Sequence, residues 1–328
     1  MDFSVSRRAL LKTSAALMAA SAVPAYAQAK PNLRFSAVFS DKDIRAKMIE
    51  MLAKDVESDF KIEPHLNGSL FKQGTELVAL QRNNLEMGNI APQDVSNQIP
   101  AWSIVTSAYL FRDAKHLHTF FASAPGAEMT KMVEDQLKVK ILGPTFFGVR
   151  QVGLKPNKKI TTPADMAGIK LRMPGGDAWQ MLGRSLGANP VPVAYAEVYT
   201  ALQTGAIDGQ DNPLPNVQNM KFFEVMSQMV MTSHLIGFDL LTISSKAWGD
   251  MSAAQKQKFQ AAATRAIQWS ADEHLKQEAE LVELLKKQGL QINTPDVKAF
   301  REHAQKMYLA SDQAKTWPAG MLDKINAL

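Results

Sequence analysis

Residues 161–174 read TTPADMAGIKLRMP, and residues 202–213 read LQTGAIDGQDNP. Each segment contains a short apolar stretch that predicts a strand. Arg172 stands at the end of the first strand, and Asn212 follows the second. Open α/β sheets bind their ligands beside such strand ends, and a guanidinium fork together with an amide suits a planar carboxylate. The two segments therefore predict an α/β protein that binds small organic acids.

Short apolar strands alternate with helices on both sides of these segments. In the first part of the chain, strands are predicted over residues 33–39, 61–66 and 85–90, with helices over residues 43–58 and 75–83. This βαβαβ order implies a parallel sheet. The same order begins again after residue 138, with predicted strands over residues 140–143, 148–155, 169–173, 191–193 and 207–210 and helices over residues 176–186 and 196–204.

The C-terminal part of the chain has a different pattern. A strand over residues 239–244 precedes a helical pattern that runs from residue 251 to residue 288. Such a helix would be about 57 Å long, which is wider than one domain, so we expect it to connect two domains. Thr294 is the predicted cap of a final helix, with Pro295 in its first turn.

The first 27 residues predict a twin-arginine signal peptide. Residues 6–12 read SRRALLK, residues 13–23 are apolar, and residues 25–27 read AYA, which has the small-x-small form of a cleavage site. A basic start before a membrane anchor is the alternative, but the apolar run is shorter than the ~20 residues that span a bilayer. We therefore expect a mature protein that is free in the periplasm of a Gram-negative bacterium, without a membrane-embedded part.

Composition narrows the function further. The chain has 328 residues, which suits two domains of about 100–200 residues each. Cleavage after residue 27 would remove three basic residues and one acid, so the formal charge falls from +5 to +3. Lysines and acids alternate along the predicted helices, and no basic stripe supports nucleic-acid binding. The absence of cysteine excludes disulfides, thiolate metal sites and cysteine nucleophiles.

Catalytic and cofactor motifs are missing from the sequence. No Gly-x-Ser-x-Gly elbow, G-x-G-x-x-G loop or Walker lysine is present. His116 and His118 have the spacing of two strand ligands, but they lie in a predicted helix start without a matching carboxylate. The methionines between residues 220 and 231 stand among apolar residues, which is typical of packing and not of copper binding. We therefore expect no cofactor and no metal.

Four side chains are candidates for the binding site, and each has an alternative interpretation. Arg172 could close a surface ion pair, Asn212 before Pro213 could simply start a turn, and Tyr195 could be a packing residue. Arg150 could supply a second cation to a dicarboxylate, hold the surroundings of Arg172 by hydrogen bonds, or lie at the surface.

Nearly the whole mature sequence resembles the extracytoplasmic solute receptors of tripartite ATP-independent periplasmic (TRAP) transporters, of the dicarboxylate-receptor type. The similarity is carried by residues 68–88, 160–174 and 197–213. It implies the α/β fold of a two-lobed periplasmic binding protein, with hinge strands and a long helix spanning both lobes. Lobe I would comprise residues 28–148 and about 238–277, and lobe II residues 149–237 and about 278–328.

The resemblance also implies roles for individual residues. Arg172 would grip the ligand carboxylate bidentately, Asn212 and Tyr195 would complete the contacts, and Arg150 would be the variable second arginine of the family. Pro174 and Gly176 would line the pocket with backbone, and Gln93 and Phe238 are weaker assignments.

A subgroup of the family binds keto acids with a metal and has Glu-Trp where this chain has Asp211-Asn212. The different residues at these positions argue against a bound cation in this protein.

By this resemblance the protein is a receptor that closes over an organic acid and delivers it to the membrane subunits of a TRAP permease. A receptor that feeds a sensor kinase or a chemoreceptor would have the same pocket. An exported enzyme acting on an organic acid is a further alternative, but Arg172, Asn212 and Tyr195 provide grip without a general base. The sequence leaves open whether the acid is a dicarboxylate, a sugar acid, or an aromatic or branched monocarboxylate.

Overall fold

The computed structural model describes Met1 and residues 30–328, so the predicted signal peptide lies outside the described residues. The nine strands of the described part are β1 Asn32–Ser36, β2 Lys61–His65, β3 Met87–Ile90, β4 Val139–Leu154, β5 Lys170–Met173, β6 Asn189–Pro192, β7 Gly209–Pro213, β8 Gln228–Ser244 and β9 Gln291–Asn293. The α-helices of this part are α1 Ile44–Asp55, α2 Glu76–Gln81, α3 Pro92–Ser96, α4 Ala114–Ala122, α5 Ala124–Leu137, α6 Asp177–Ser185, α7 Val198–Thr204, α8 Leu214–Asn219, α9 Ser245–Gly249, α10 Ala253–Lys287, α11 Val297–Leu309 and α12 Met321–Asn326.

The described strands form one mixed sheet in the order β2-β1-β3-β8-β4-β7-β5-β6, and β9 pairs with β8. β1 runs parallel to β2 and β3, and β5 runs parallel to β6 and β7. The contacts of β3 with β8, and of β4 with β7 and β8, are antiparallel. The predicted parallel pairing is therefore confirmed within each βα unit, but it is wrong for the sheet as a whole.

Two long antiparallel strands, β4 and β8, join the two ends of the sheet. In the first half of the sheet, residues 139–146 of β4 pair with residues 238–244 of β8, next to β3. In the second half, residues 150–154 of β4 pair with β7 and with β8. The prediction of two separate strands in this region is wrong, because shifts of register keep one strand paired throughout.

Gly148 marks the passage from the first half of the sheet to the second. Its φ of +118° is left-handed, and the register with β8 shifts between Phe146 and Gly148. A Cβ at this position would lie 2.7 Å from Cβ of Pro213 and 2.9 Å from Oε1 of Glu278. Only glycine fits this bend, because both the backbone conformation and the space exclude a side chain.

The long helix predicted near the C-terminus is confirmed as α10. It has 35 residues, which is about 53 Å, and Ser252 caps it in a box with Gln255. Its apolar face packs against β1 and α1 through Phe259, whereas Leu281 and Leu285 pack in the core of the second half. The helix therefore spans both halves of the sheet, as the sequence analysis predicted.

The C-terminal segments pack in different cores. Asp296, not the predicted Thr294, caps α11, because the Asp296 side chain accepts a hydrogen bond from the backbone N of Ala299 at 2.9 Å. In α12, Met321 and Ile325 are buried in the core of the first half. None of the helices in the described part is both long and apolar enough to cross a bilayer.

Candidate functional site

A cavity of about 50 Å³ lies where the first and second halves of the sheet face each other, and it adjoins a cleft of about 400 Å³. A small organic acid would occupy the cavity and the adjoining part of the cleft, since the cavity alone holds little more than water. The walls of the cavity are formed by Val38, Phe39, Arg45, Gln73, Gly74, Glu76, Asn89, Ala91, Asp94, Phe147, Arg150, Arg172, Pro174, Trp179, Tyr195, Asn212, Asn216 and Asp239.

Arg172 is held in this wall by neutral oxygens. It lies in β5, between β6 and β7, and its residue is only 1% exposed. Its Nε donates to the carbonyl oxygen of Val193 at 2.7 Å, and its Nη2 donates to Oε1 of Gln73 at 3.1 Å. The ring of Tyr195 lies 5.9 Å from the guanidinium carbon. The alternative of a surface ion pair is therefore wrong.

In the part of the chain that the structure describes, the charge of Arg172 has no partner of opposite sign at contact distance. Among the described residues, no carboxylate forms an ion pair with it, and the charge of Asp211 acts only from farther away. Burial lowers the pKa of Arg172 to about 10, and the charge of Arg150 acts in the same direction. A buried cation without a counter-charge is unfavourable, so this position favours an anionic ligand.

Arg150 differs from Arg172 because it is already paired. Its Nε donates to Oδ2 of Asp211 at 2.8 Å, its Nη2 donates to Oδ1 of Asp211 at 2.8 Å, and Trp179 covers the guanidinium at 4.9 Å. The Nη2 also lies 3.5 Å from Oδ1 of Asn212. The surface interpretation is wrong, since Arg150 is buried in the wall of the cavity.

A chain of buried polar groups supports this ion pair from behind. Nε2 of His234 donates to Oδ2 of Asp211 at 2.9 Å, and the Thr232 hydroxyl lies 2.8 Å from Nδ1 of the same ring. Burial lowers the pKa of His234, which keeps the ring neutral. Burial alone would raise the pKa of Asp211, but Arg150 and His234 hold it well below its usual range. Asp211 therefore stays charged and fixes Arg150.

Tyr195 and Asn212 also line the cavity, as predicted. The hydroxyl of Tyr195 accepts a hydrogen bond from Nδ2 of Asn216 at 2.8 Å, and burial raises the pKa of Tyr195 to about 12. Nδ2 of Asn212 donates to Oε1 of Gln210 at 2.6 Å. The Oδ1 atom of Asn216 is buried without a partner in the described part of the chain, so it can accept a hydrogen bond from a ligand.

Of the remaining predicted residues, Pro174 lines the cavity, whereas Gly176, Gln93 and Phe238 do not. Pro174 lines both the cavity and the cleft, and Gly176 lines the cleft only. A Cβ at Gly176 would lie 2.6 Å from Nδ2 of Asn97, which follows α3, so the two halves approach closely there. Gln93 and Phe238 line a separate small cavity of about 10 Å³ behind Arg150.

The sequence analysis missed Arg45, a third arginine in the cavity wall. Its guanidinium stacks between Phe39 at 4.4 Å and Phe147 at 4.1 Å. Its nitrogens donate to both carboxylate oxygens of Asp43 and to Oδ2 of Asp239 at 2.6 Å. Burial disfavours the charge, but the two carboxylates outweigh burial and raise the pKa of Arg45 above its ordinary value.

Two carboxyl groups of the same wall were also missed. Burial raises the pKa of Glu76 to about 8, although backbone N–H groups oppose the shift. Burial, together with the charge of Asp239, raises the pKa of Asp94 to about 7. Asp94 lies shortly after β3, so the strand-end argument used for Arg172 could have found it, whereas Arg45 and Glu76 lie in helices α1 and α2.

Comparison with known proteins agrees with this geometry. A family model described as bacterial extracellular solute-binding protein, family 7, matches residues 35–314. A crystal structure of a TRAP periplasmic solute-binding protein from Roseobacter denitrificans, with bound 3-deoxy-D-manno-oct-2-ulosonic acid (KDO), is similar with 42% identity and a TM-score of 0.89. The similarity covers 91% of this chain and 99% of that chain.

Two proteins of Vibrio cholerae are also similar. The sialic acid-binding periplasmic protein SiaP is 34% identical over 218 residues, which are 65% of this chain and 66% of SiaP. The C4-dicarboxylate-binding periplasmic protein DctP is 29% identical over 75% of this chain and 76% of its own. The predicted two-lobed α/β fold is confirmed by the structural match. The chain therefore belongs to family 7 of the bacterial extracellular solute-binding proteins, the receptors of TRAP transporters, as its sequence resemblance predicted.

Proposed function

We propose that this protein captures a small sugar acid in the periplasm and delivers it to a TRAP permease. The observation that carries the proposal is Arg172, a buried guanidinium without a carboxylate partner among the described residues. Its Nε and Nη2 bind neutral oxygens, which keeps the positive charge available for a ligand carboxylate. Asn212 and Tyr195 complete this anion site from the same half of the sheet.

The part of the cavity wall that comes from the first half of the sheet favours ligand hydroxyl groups over a second ligand carboxylate. Glu76 and Asp94 have raised pKa values near neutrality, and a second anion beside them would raise the electrostatic energy further. Ligand hydroxyl groups can instead hydrogen-bond to these carboxyls and to the unpartnered Oδ1 of Asn216. Arg150 and Arg45 are each neutralised by aspartate and do not require a second ligand carboxylate.

Two relatives are consistent with a polyhydroxylated monocarboxylate. The similar Roseobacter denitrificans protein was solved with KDO, and SiaP is named for sialic acid. Both ligands are carboxylates with several hydroxyl groups. The DctP relative is named for C4-dicarboxylates and has a lower identity.

We propose that binding closes two lobes, with residues 28–148 and about 238–277 as lobe I, and residues 149–237 and about 278–328 as lobe II. The bends of β4 and β8 near Gly148 provide the hinge strands, and α10 bridges both lobes. A ligand that touches both walls stabilises the closed form only by its higher affinity for that form. The permease would then recognise the closed receptor.

Export by the twin-arginine signal and a location in the periplasm belong to the same proposal. They rest on residues 6–27 and on the periplasmic relatives. We propose binding without catalysis, in which Glu76 and Asp94 serve as hydrogen-bond partners of the ligand and not as an acid and a base.

A thermal-shift screen of the mature protein tests this function. The panel contains KDO, sialic acid, gluconate, galacturonate, succinate and phenylacetate. A ligand at 100 times its Kd should raise the unfolding free energy by about 2.7 kcal/mol. We expect the sugar acids to stabilise the protein and succinate to have no effect. Stabilisation by succinate alone, or conversion of a bound sugar acid into a product detected by NMR, would contradict the proposal.

A further inference from the structure

One side chain joins the two halves of the sheet directly at the anion site. Gln73 precedes α2, and its Oε1 accepts hydrogen bonds from Nη2 of Arg172 at 3.1 Å and from the backbone N of Tyr195 at 2.8 Å. Both partners are donors, so the amide must turn its oxygen toward them. Gln73 belongs to the first half of the sheet by its place between β2 and α2, whereas Arg172 and Tyr195 belong to the second.

These contacts determine which edge of the guanidinium can meet a ligand. The single N–H of Nε is used by the carbonyl of Val193, and one N–H of Nη2 is used by Gln73. A side-on fork through Nε and Nη2 is therefore occupied. Nη1 makes no hydrogen bond within the described part of the chain, so the end-on edge of Nη1 and Nη2 is the edge that a carboxylate can approach.

The neutrality of Gln73 matters as much as its position. Glutamate at this position would reach the same two donors with a negative charge and would supply the counter-charge that Arg172 lacks. The amide oxygen orients the guanidinium without neutralising it, which leaves the electrostatic attraction for the ligand.

We propose that Gln73 is a positioning residue with two effects. It holds the first half of the sheet against the anion site when a ligand is bound there, and it selects end-on binding of the ligand carboxylate. The role rests on the proposed function, because it assigns a closing contact to the same cavity. Gln73 joins the two halves in the closed arrangement, and this contact must break before a bound ligand can leave, so its loss should act mainly on ligand release.

The first test needs no ligand. Gln73→Glu should raise the melting temperature of the ligand-free protein, because a new ion pair with Arg172 relieves the unpaired cation. The matched control is Gln98→Ala, whose exposed side chain hydrogen-bonds to that of Gln81, and it should leave the melting temperature unchanged. A melting temperature of Gln73→Glu equal to or below that of the wild type would overturn the contact with Arg172.

The second test measures the kinetics of KDO binding to the wild type, Gln73→Ala and Gln73→Glu by stopped-flow fluorescence. We expect Gln73→Ala to weaken affinity about 10-fold, mostly through faster release. Gln73→Glu should abolish binding at the same KDO concentrations. Unchanged release in Gln73→Ala, or a loss confined to the association rate, would overturn the closing role.

The two tests separate this inference from the proposed function. If the wild type binds neither KDO nor any acid of the panel, the proposed function fails, and with it the closing role. The ligand-free result for Gln73→Glu then still decides whether the contact with Arg172 exists. If the wild type binds KDO but Gln73→Ala releases it at the wild-type rate, only the role of Gln73 fails.

Discussion

Arg45 and Arg172 face the same cavity from opposite halves of the sheet, yet their surroundings differ. Arg45 lies between two aromatic rings, and Asp43 and Asp239 contact its guanidinium. Arg172 is equally buried, but its hydrogen bonds go to a backbone carbonyl and to Gln73. Burial shifts the pKa of both in the same direction, and only Arg45 has carboxylates that reverse the shift.

The difference indicates that buried arginines of one cavity can have two roles: some stabilise the fold, and another is available to bind an anion. A buried cation with its counter-charges is part of the structure, because removing it would leave carboxylates uncompensated. A buried cation without a counter-charge destabilises the folded protein, and an anionic ligand offsets this cost when it binds. Arg150 belongs with Arg45, since Asp211 pairs with it and His234 supports Asp211.

The largest effect that tests this comparison is on stability. Arg45→Met should lower the free energy of unfolding by about 3–5 kcal/mol, because it strands two buried carboxylates. Urea denaturation of the ligand-free protein measures the change. Arg265→Met removes an exposed ion pair with Asp55 and should cost less than about 1 kcal/mol. Equal effects of the two substitutions would remove the distinction between Arg45 and a surface arginine.

Arg172→Lys should show the opposite behaviour. We expect its stability to remain close to that of the wild type, while KDO affinity falls on the order of 100-fold, roughly 2.7 kcal/mol, because an ammonium cannot reproduce the planar fork. Titration calorimetry with KDO measures the loss. An unchanged affinity in a folded variant would show that the anion binds elsewhere.

Glu76 and Asp94, the carboxyl groups that line the cavity from the first half of the sheet, should make the free energy of unfolding depend on pH. Folding raises the pKa of Glu76 from 4.5 to about 8, so its contribution to stability is present below pH 4.5 and is lost as the pH rises toward 8. Replacing it by Gln should therefore reduce the decline in unfolding free energy between pH 5 and pH 8, by on the order of 2 kcal/mol.

The pKa of Asp94 is also raised by folding. Part of the decline in unfolding free energy between pH 5 and pH 8 should therefore remain in Glu76→Gln. Urea denaturation at both pH values measures the effect, and the exposed Glu197→Gln serves as the control. A wild-type protein whose stability increases from pH 5 to pH 8 would contradict the assignment of a protonated Glu76.

Local sequence made three side chains of the second half candidates for the site. Strand ends, a turn and a proline stand within a few residues of Arg172, Tyr195 and Asn212, but the family resemblance was needed to favour a binding role for them. Only Asp94 of the first-half residues lies close to a strand end; Arg45 and Glu76 lie within helices, and the similarity over residues 68–88 implied no role for Glu76. The alternation of short strands and helices likewise predicted most elements to within a few residues.

Other features depend on residues that are distant in the sequence. Whether Arg150 is free or paired depends on the β4–β7 register, which sets Arg150 opposite Pro213, two residues after Asp211. The full length of β4 and β8 arises from their mutual pairing, since neither has an uninterrupted strand pattern by itself.

Local patterns in the chain were enough to predict the α/β fold, the long bridging helix and Arg172 in the cavity wall, because periodicity, caps and strand ends depend on neighbouring residues. Long-range contacts determine that Arg172, unlike Arg45 and Arg150, has no counter-charge in contact with it among the described residues, and that Gln73 contacts it. Counter-charges and closing contacts come from segments that are distant in the sequence, such as Arg45 and Asp239, which are 194 residues apart. Burial strengthens the interaction between such charges.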